Sequence, residues 1–174
     1  MGKISIRDTT VEDIPAYRAM HRASWLETYP NNEHGVTEDW VRTRTAAWIT
    51  PEGIERSKEF FGSVFGNPNH LHQVALDEDK IVGVVHVFKT KENQHLAALY
   101  VDKEYYGTGI AQRLMKNVLT WINPRVVTDL EVAVYNERAK AFYRKHGFRE
   151  KDGSERLFAD TIPVVTMERK GEKI

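Results

Sequence analysis

The spacing of apolar positions changes along the chain, and each change marks an element. Residues 3–7 alternate Lys-Ile-Ser-Ile-Arg, the period of a half-buried strand. Val11, Ile14, Tyr17, Met20 and Trp25 then recur at helical spacing. They predict a helix capped by Thr9 or Thr10 that runs to about Tyr29 and is broken by residues 30–35. Thr37 and Glu38 open a second helical stretch carrying Trp40, Val41, Ala47, Trp48 and Ile49, ended by Pro51. Residues 52–65 form a third, closed at Gly66-Asn67-Pro68.

From there the period is that of strands. Residues 71–76, 81–88 and 96–101 read as three in series, the first two joined by the polar connection Asp77-Glu78-Asp79-Lys80. Ile110, Leu114, Val118 and Ile122 lie on one helix face, stopped by Asn123-Pro124. Residues 126–135 form a strand, and Asn136 caps a helix to His146 with Gly147 as its stop. Residues 148–158 and 162–168 read as a final antiparallel pair. The order predicts an α/β (α+β type) single domain over residues 1–174, a mixed and mostly antiparallel sheet flanked by helices.

A chain of 174 residues with 41% hydrophobic and 29% charged residues is long enough for one well-buried core. The formal net charge is zero, so no global basic field favours nucleic acid or an anionic membrane. The first residues lack the apolar core of a signal peptide, and no run approaches the length of a membrane span. A cytoplasmic protein with neither nucleic-acid nor membrane partners is therefore expected. Cysteine is absent, which removes disulfides, thiolate metal sites and a cysteinyl thioester intermediate.

Tyr-Tyr-Gly-Thr-Gly-Ile-Ala at 105–111 places glycines between a strand and a helix, where bare N–H groups and the helix dipole favour phosphate. A P-loop needs Gly-Lys-Ser/Thr, yet Ile110 and Ala111 follow Gly109. A dinucleotide fingerprint needs a third glycine where Gln112 stands. A pyrophosphate cradle of another kind remains, alongside a turn whose glycines serve geometry alone.

A second motif narrows this choice. Asn136, Ala139, Phe142, Tyr143, Gly147 and Phe148 spell Asn-x-x-Ala-x-x-Phe-Tyr-x-x-x-Gly-Phe. With the glycine turn, the segment resembles the GNAT superfamily of acetyl-coenzyme A-dependent N-acetyltransferases, over roughly residues 70–170 and with a weaker echo at Trp25 and Tyr29. The family's first motif is Gln/Arg-x-x-Gly-x-Gly/Ala. Here Gly109 and Ala111 fit, while Tyr106 holds the Gln/Arg position, where the backbone N–H is the expected contributor.

The resemblance implies two central parallel strands that splay apart, here residues 96–101 and 126–134. It implies acetyl-coenzyme A as donor, with no metal, held by the amides of Leu99 and Val101, by the turn Tyr106, Gly107, Thr108, Gly109, Ile110 and Ala111, and by Asn136. Tyr143 would face the coenzyme sulfur and protonate the departing thiolate, with Phe142 turned to the core. His95 is the candidate base near neutral pH, with Glu27, Glu92 and Glu131 as rivals and a water chain as another route. A metal pair at His70 and His72 lacks a third ligand nearby.

The acceptor site of such proteins is built largely from the early helices, which points to Trp25, Glu27 and Tyr29. Residues 24–60 hold seven acidic and four basic residues, a net of −3, and an acidic aromatic rim suits a cationic amine. Helices with inward tryptophans and solvated carboxylates account for the same pattern. The reading is acetyl transfer to a primary amine of a small molecule or peptide, by direct attack in a ternary complex. A noncatalytic acyl-coenzyme A-binding module is the alternative from another class, and O-acetylation is a near variant. The last strands of the superfamily often meet across a dimer, so a homodimer is compatible with the resemblance.

Overall fold

The computed structural model describes residues 2–171. Its elements are β1 (Ile4–Asp8), α1 (Ile14–Thr28), α2 (Glu38–Thr45), α3 (Pro51–Gly62), β2 (His70–Asp77), β3 (Lys80–Lys89), β4 (Gln94–Val101), α4 (Ile110–Trp121), β5 (Thr128–Ala133), α5 (Glu137–Lys145), β6 (Arg149–Glu150), β7 (Arg156–Phe158) and β8 (Ile162–Arg169). The strands join in one sheet in the order β1-β2-β3-β4-β5-β8-β6, with β7 also on β8. Every pairing is antiparallel except β4 with β5. Among the described residues no helix is long and apolar enough to cross a membrane.

Local chemistry sets the helix ends. Thr37 accepts from the Trp40 amide at 3.1 Å, Thr50 from the Gly53 amide at 3.1 Å, and Asn136 from the Ala139 amide at 3.1 Å. The first helical stretch is a 3-10 turn at residues 11–13 leading into α1, and the second breaks into α2 and a further 3-10 turn at Ala46–Ile49. The expected strand 148–158 is two short strands, because the chain turns through Gly153 at a φ of 68°. The strand expected at 126–135 is likewise shorter, spanning only β5.

The core lies on both faces of the sheet. On one, α4 and α5 cover Val85, Val87, Leu96, Leu130, Val165 and Met167. Gly83 allows α4 to lie close: a Cβ there would sit 3.2 Å from Ile110 Cγ2 and 3.3 Å from Leu114 Cδ1. On the other, α1 and α3 bury Ile14, Tyr17, Met20 and Phe61 against Val74, Ile81 and Val84. Apolar burial of this kind drives the fold at roughly 25 cal/mol per Å².

Histidines are sealed into that second face. Burial pushes His21 and His72 down to about 3 and His86 down to about 4, assisted by Arg18 beside His21 and by neighbouring histidines around the other two. They are neutral when folded and take up a proton near the ordinary 6.5 when unfolded. Their stabilisation is therefore complete above that value and is lost as pH falls towards 4. Thermal melts from about pH 7.5 to 4.5 should show the melting temperature dropping through this window, and His72→Asn should flatten the drop. A melting temperature that holds constant across the window would contradict it.

Candidate functional site

Gln94 pairs with Thr128 and His95 with Asp129, and there the parallel ladder between β4 and β5 ends. Side chains clamp the junction. Gln94, only 2% exposed, donates from Nε2 to the Asn123 carbonyl at 3.1 Å and to Thr128 Oγ1 at 3.1 Å, and its Oε1 accepts from the Asn123 amide at 2.7 Å. Asp129 takes the Asn93 amide nitrogen on one oxygen and His95 Nδ1 on the other. Beyond this clamp the strands part and a cavity of about 240 Å³ opens between them.

The wall on the β4 side carries unpaired donors. The Asp102 amide donates to the Val82 carbonyl at 2.9 Å, while Val101 stands opposite Gly83 and Leu99 opposite Val85. Antiparallel bonding alternates residue by residue, so the N–H groups of Val101 and Leu99 point away from β3, towards the gap. Ala97 is the extra residue of a bulge between Leu96 and Ala98, opposite Val87 and His86.

The mouth of the cavity is the glycine turn. Gly107 and Gly109 adopt φ of 78° and 86°, which bulkier residues resist, and Gly109 caps α4 without any side-chain bond. Arg113 is the first residue of α4 whose amide reaches back, to Gly109 at 3.1 Å. The amides of Ile110, Ala111 and Gln112 are thus the orphan donors of the first turn. Two expectations are corrected here. The Tyr106 amide donates to the Lys103 carbonyl at 3.2 Å, so it is not a free donor of the cradle. Thr108 is exposed, its hydroxyl donating back to the Tyr105 carbonyl at 2.6 Å, and it locks the turn without lining the cavity.

Phenols gather at the inner end. Tyr143, Tyr100 and Tyr29 line the cavity, with the Tyr29 and Tyr100 hydroxyls 2.7 Å apart and the Tyr135 hydroxyl donating to the Tyr29 carbonyl at 2.6 Å. Burial pushes Tyr29 and Tyr135 up to about 12, and burial together with the neighbouring phenols pushes Tyr100 and Tyr143 well up. Tyr143 is the more deeply buried aromatic of its pair, at 8% exposure; Phe142, expected in the core, is only partly buried and lines the cavity too. Asn136 joins them while its Oδ1 serves as the cap of α5.

The structure therefore brings together Leu99, Val101, Tyr106, Gly107, Gly109, Ile110, Ala111, Asn136, Tyr143 and Tyr29. It leaves out His95, which belongs to the clamp below the gap. It also leaves out Trp25, which is buried in a cluster with Val36, Val41 and Ile162 and donates from Nε1 to His21 at 3.0 Å. Glu27 lies outside as well, paired with Lys103 at 3.0 Å. The acidic rim is dispersed: Glu38 pairs with Arg42 and Glu55 with Lys58, while Trp48 stacks on His21. Glu131, a rival for the base, does line the cavity, and Arg156 grips its two oxygens at 2.6 and 2.7 Å. Gln94 went unnoticed in the sequence, where a polar residue opening a strand carries no signal of its partners. His70 and His72, the metal-pair candidate, are bonded to His86 at 3.1 Å and to Thr9 at 2.8 Å.

Comparison with known proteins follows this geometry. Residues 45–170 match the model of the acetyltransferase (GNAT) domain. A peptidyl-lysine N-acetyltransferase of Salmonella typhimurium is 34% identical over 79 residues, 45% of this chain and 50% of that protein. A spermidine N(1)-acetyltransferase of Thermoplasma acidophilum is 22% identical over 152 residues, 86% of this chain and 90% of that protein. The chain spans about half the length of the first curated relatives it matches. The PaiA N-acetyltransferase of Thermoplasma acidophilum, solved in complex with coenzyme A, superposes with a TM-score of 0.74 at 20% identity, covering 97% of this chain and 99% of that one.

The buried phenols have a measurable signature. Tyr17, like Tyr29 and Tyr135, is pushed up to about 12 by burial, so with Tyr100 and Tyr143 five tyrosines resist ionisation because they are desolvated. The unfolded chain ionises its phenols near 10, so the stability these groups contribute is complete below that pH and is lost as pH rises from there through about 12. Ultraviolet titration at about pH 11 should leave these five phenols largely protonated in the folded protein and register them on unfolding. Ionisation of most of them in the folded state would refute the buried cluster.

Proposed function

The chain belongs to the acetyltransferase (GNAT) domain family, and from that premise we propose that it transfers an acetyl group from acetyl-coenzyme A to a primary amine. One observation carries the reading: the gap-facing amides of β4, the orphan amides of α4 and the Tyr143 phenol all open onto a single cavity. The amides of α4 and of Gly107 take the pyrophosphate. The pantetheine arm lies along β4 as a surrogate strand, bonded by Leu99 and Val101, and one of these N–H groups polarises the acetyl carbonyl. Asn136, at the start of α5, holds the middle of the arm.

The amine nitrogen attacks the thioester carbon directly in a ternary complex. A new C–N bond forms, the C–S bond of the tetrahedral intermediate breaks, the sulfur takes a proton from Tyr143, and the surplus proton on the new amide nitrogen passes through water to restore the phenol. Burial keeps this phenol protonated and so available as a donor. An alkylammonium near 10.4 must first lose a proton. Our candidate to receive it, directly or through one water, is Glu131, the carboxylate that lines the cavity beside Arg156, in preference to His95, which bonds Asp129 at the strand junction. The acceptor is a small-molecule or peptide amine, as supported by relatives named for peptidyl-lysine and for spermidine.

Thiol release from acetyl-coenzyme A with a panel of amines tests the activity. Tyr143→Phe should lower turnover by roughly 10²-fold at unchanged coenzyme affinity. Glu131→Gln should lower it most near neutral pH and least above about pH 10, where the amine sheds its own proton. His95→Gln should leave turnover within about twofold. Coenzyme binding with no release for any amine would favour the noncatalytic acyl-coenzyme A-binding module, and full activity in Tyr143→Phe would remove its role as acid.

A further inference from the structure

Tyr106 stands where the family pattern has glutamine or arginine, and its amide is already bonded within the turn. The cradle is then a set of neutral N–H groups facing an anionic ligand. Among the described residues one cation borders it. Arg138, in the first turn of α5, places its guanidinium carbon 3.9 Å from the centroid of the Tyr106 ring, and both residues line the cavity. The charged residues on the cavity wall are Arg138 and Glu131, and Glu131 is neutralised by Arg156.

Arg138 has no carboxylate within ion-pair distance among the described residues, although Glu137 precedes it. Glu137 is instead paired with Lys140 and Arg144. Of the other cations near this face, Lys140 is held by Glu137 and Glu150, and Arg113 donates to the Ile4 carbonyl at 3.1 Å. A guanidinium resting its face on an aromatic ring keeps its N–H groups in its own plane, free for a phosphate.

We infer that Arg138, steadied by the Tyr106 ring, supplies the cationic contact to the phosphate end of the coenzyme that position 106 does not supply with its own side chain. The inference rests on the coenzyme A reading given above. Tyr106 is then a positioning residue: its ring, rather than its backbone, orders the arginine before the ligand arrives, which reduces the side-chain entropy lost on binding.

Calorimetric titration of the full chain with coenzyme A and with its 3′-dephospho form tests this. Arg138→Gln should weaken coenzyme A about tenfold, the loss of one charge-assisted contact, with an unchanged melting temperature. Arg138→Lys should recover part of the loss, because the charge returns without the planar stack. Tyr106→Phe should bind as the unaltered protein does, and Tyr106→Leu should be weaker by about threefold. Raising the salt from about 50 to 500 mM should weaken the unaltered protein more than Arg138→Gln. A penalty that persists with the dephospho form assigns the contact to the pyrophosphate, and one that disappears assigns it to the 3′-phosphate. Equal affinities for Arg138→Gln and the unaltered protein would overturn the inference while leaving the coenzyme site intact. Absence of coenzyme A binding by the unaltered protein would remove that reading and the inference with it.

Discussion

Two parallel strands that pair for two residues and then separate govern the rest of this molecule. Unpaired N–H and C=O groups inside a domain cost roughly as much as a lost hydrogen bond, so a split sheet persists only where something else holds it. Below the split, Gln94 satisfies its amide completely against Asn123, Val126 and Thr128, and Asp129 joins Asn93 to His95. Above it, β3 holds β4 and β8 holds β5 from their far sides. The gap is thus braced on three sides, and its donors are left for a ligand that can act as the missing strand.

The same gap organises the electrostatics. Its mouth is lined by the orphan amides of α4, which carry the positive end of a helix dipole without any formal charge. Its inner end is a group of phenols that burial keeps protonated. Donors at both ends and along one wall suit a long, polar, anionic ligand with a reactive group at its buried tip. The wall carboxylate, Glu131, is restrained by an arginine from the neighbouring strand, so it keeps its position between the two ends.

The acceptor side reads differently in three dimensions than along the chain. The net of −3 over residues 24–60 is spread over salt bridges and outward faces, and tryptophans counted as rim are core or half-buried ring contacts. What faces the cavity from α1 is Thr28 and Tyr29, its last residue and the one that follows. Thus the inner wall of the cavity is hydroxyl-rich and aromatic, with a single carboxylate already paired.

Local chemistry made much of this legible. Caps such as Thr37 and Asn136, the Ile110-Leu114-Val118 face of α4, and the glycines of the turn each act within a few residues, so a linear reading locates them. The spacing from Asn136 to Phe148 does the same for α5 and for Tyr143. Tertiary structure alone decided which side chains share the cavity. His95 was the candidate base on the page of letters and Glu131 one of its rivals, yet His95 falls at the last bonded rung and Glu131 beyond it. Tyr106 looked like a donor by its backbone, whereas a 3-10 turn consumed that donor and its ring met an arginine from a different helix. Sequence determines what neighbours along the chain can impose on one another, namely period, cap and turn. Partners more than thirty residues apart, such as Tyr106 with Arg138 or Gln94 with Thr128, meet only because packing closes the chain around the split sheet.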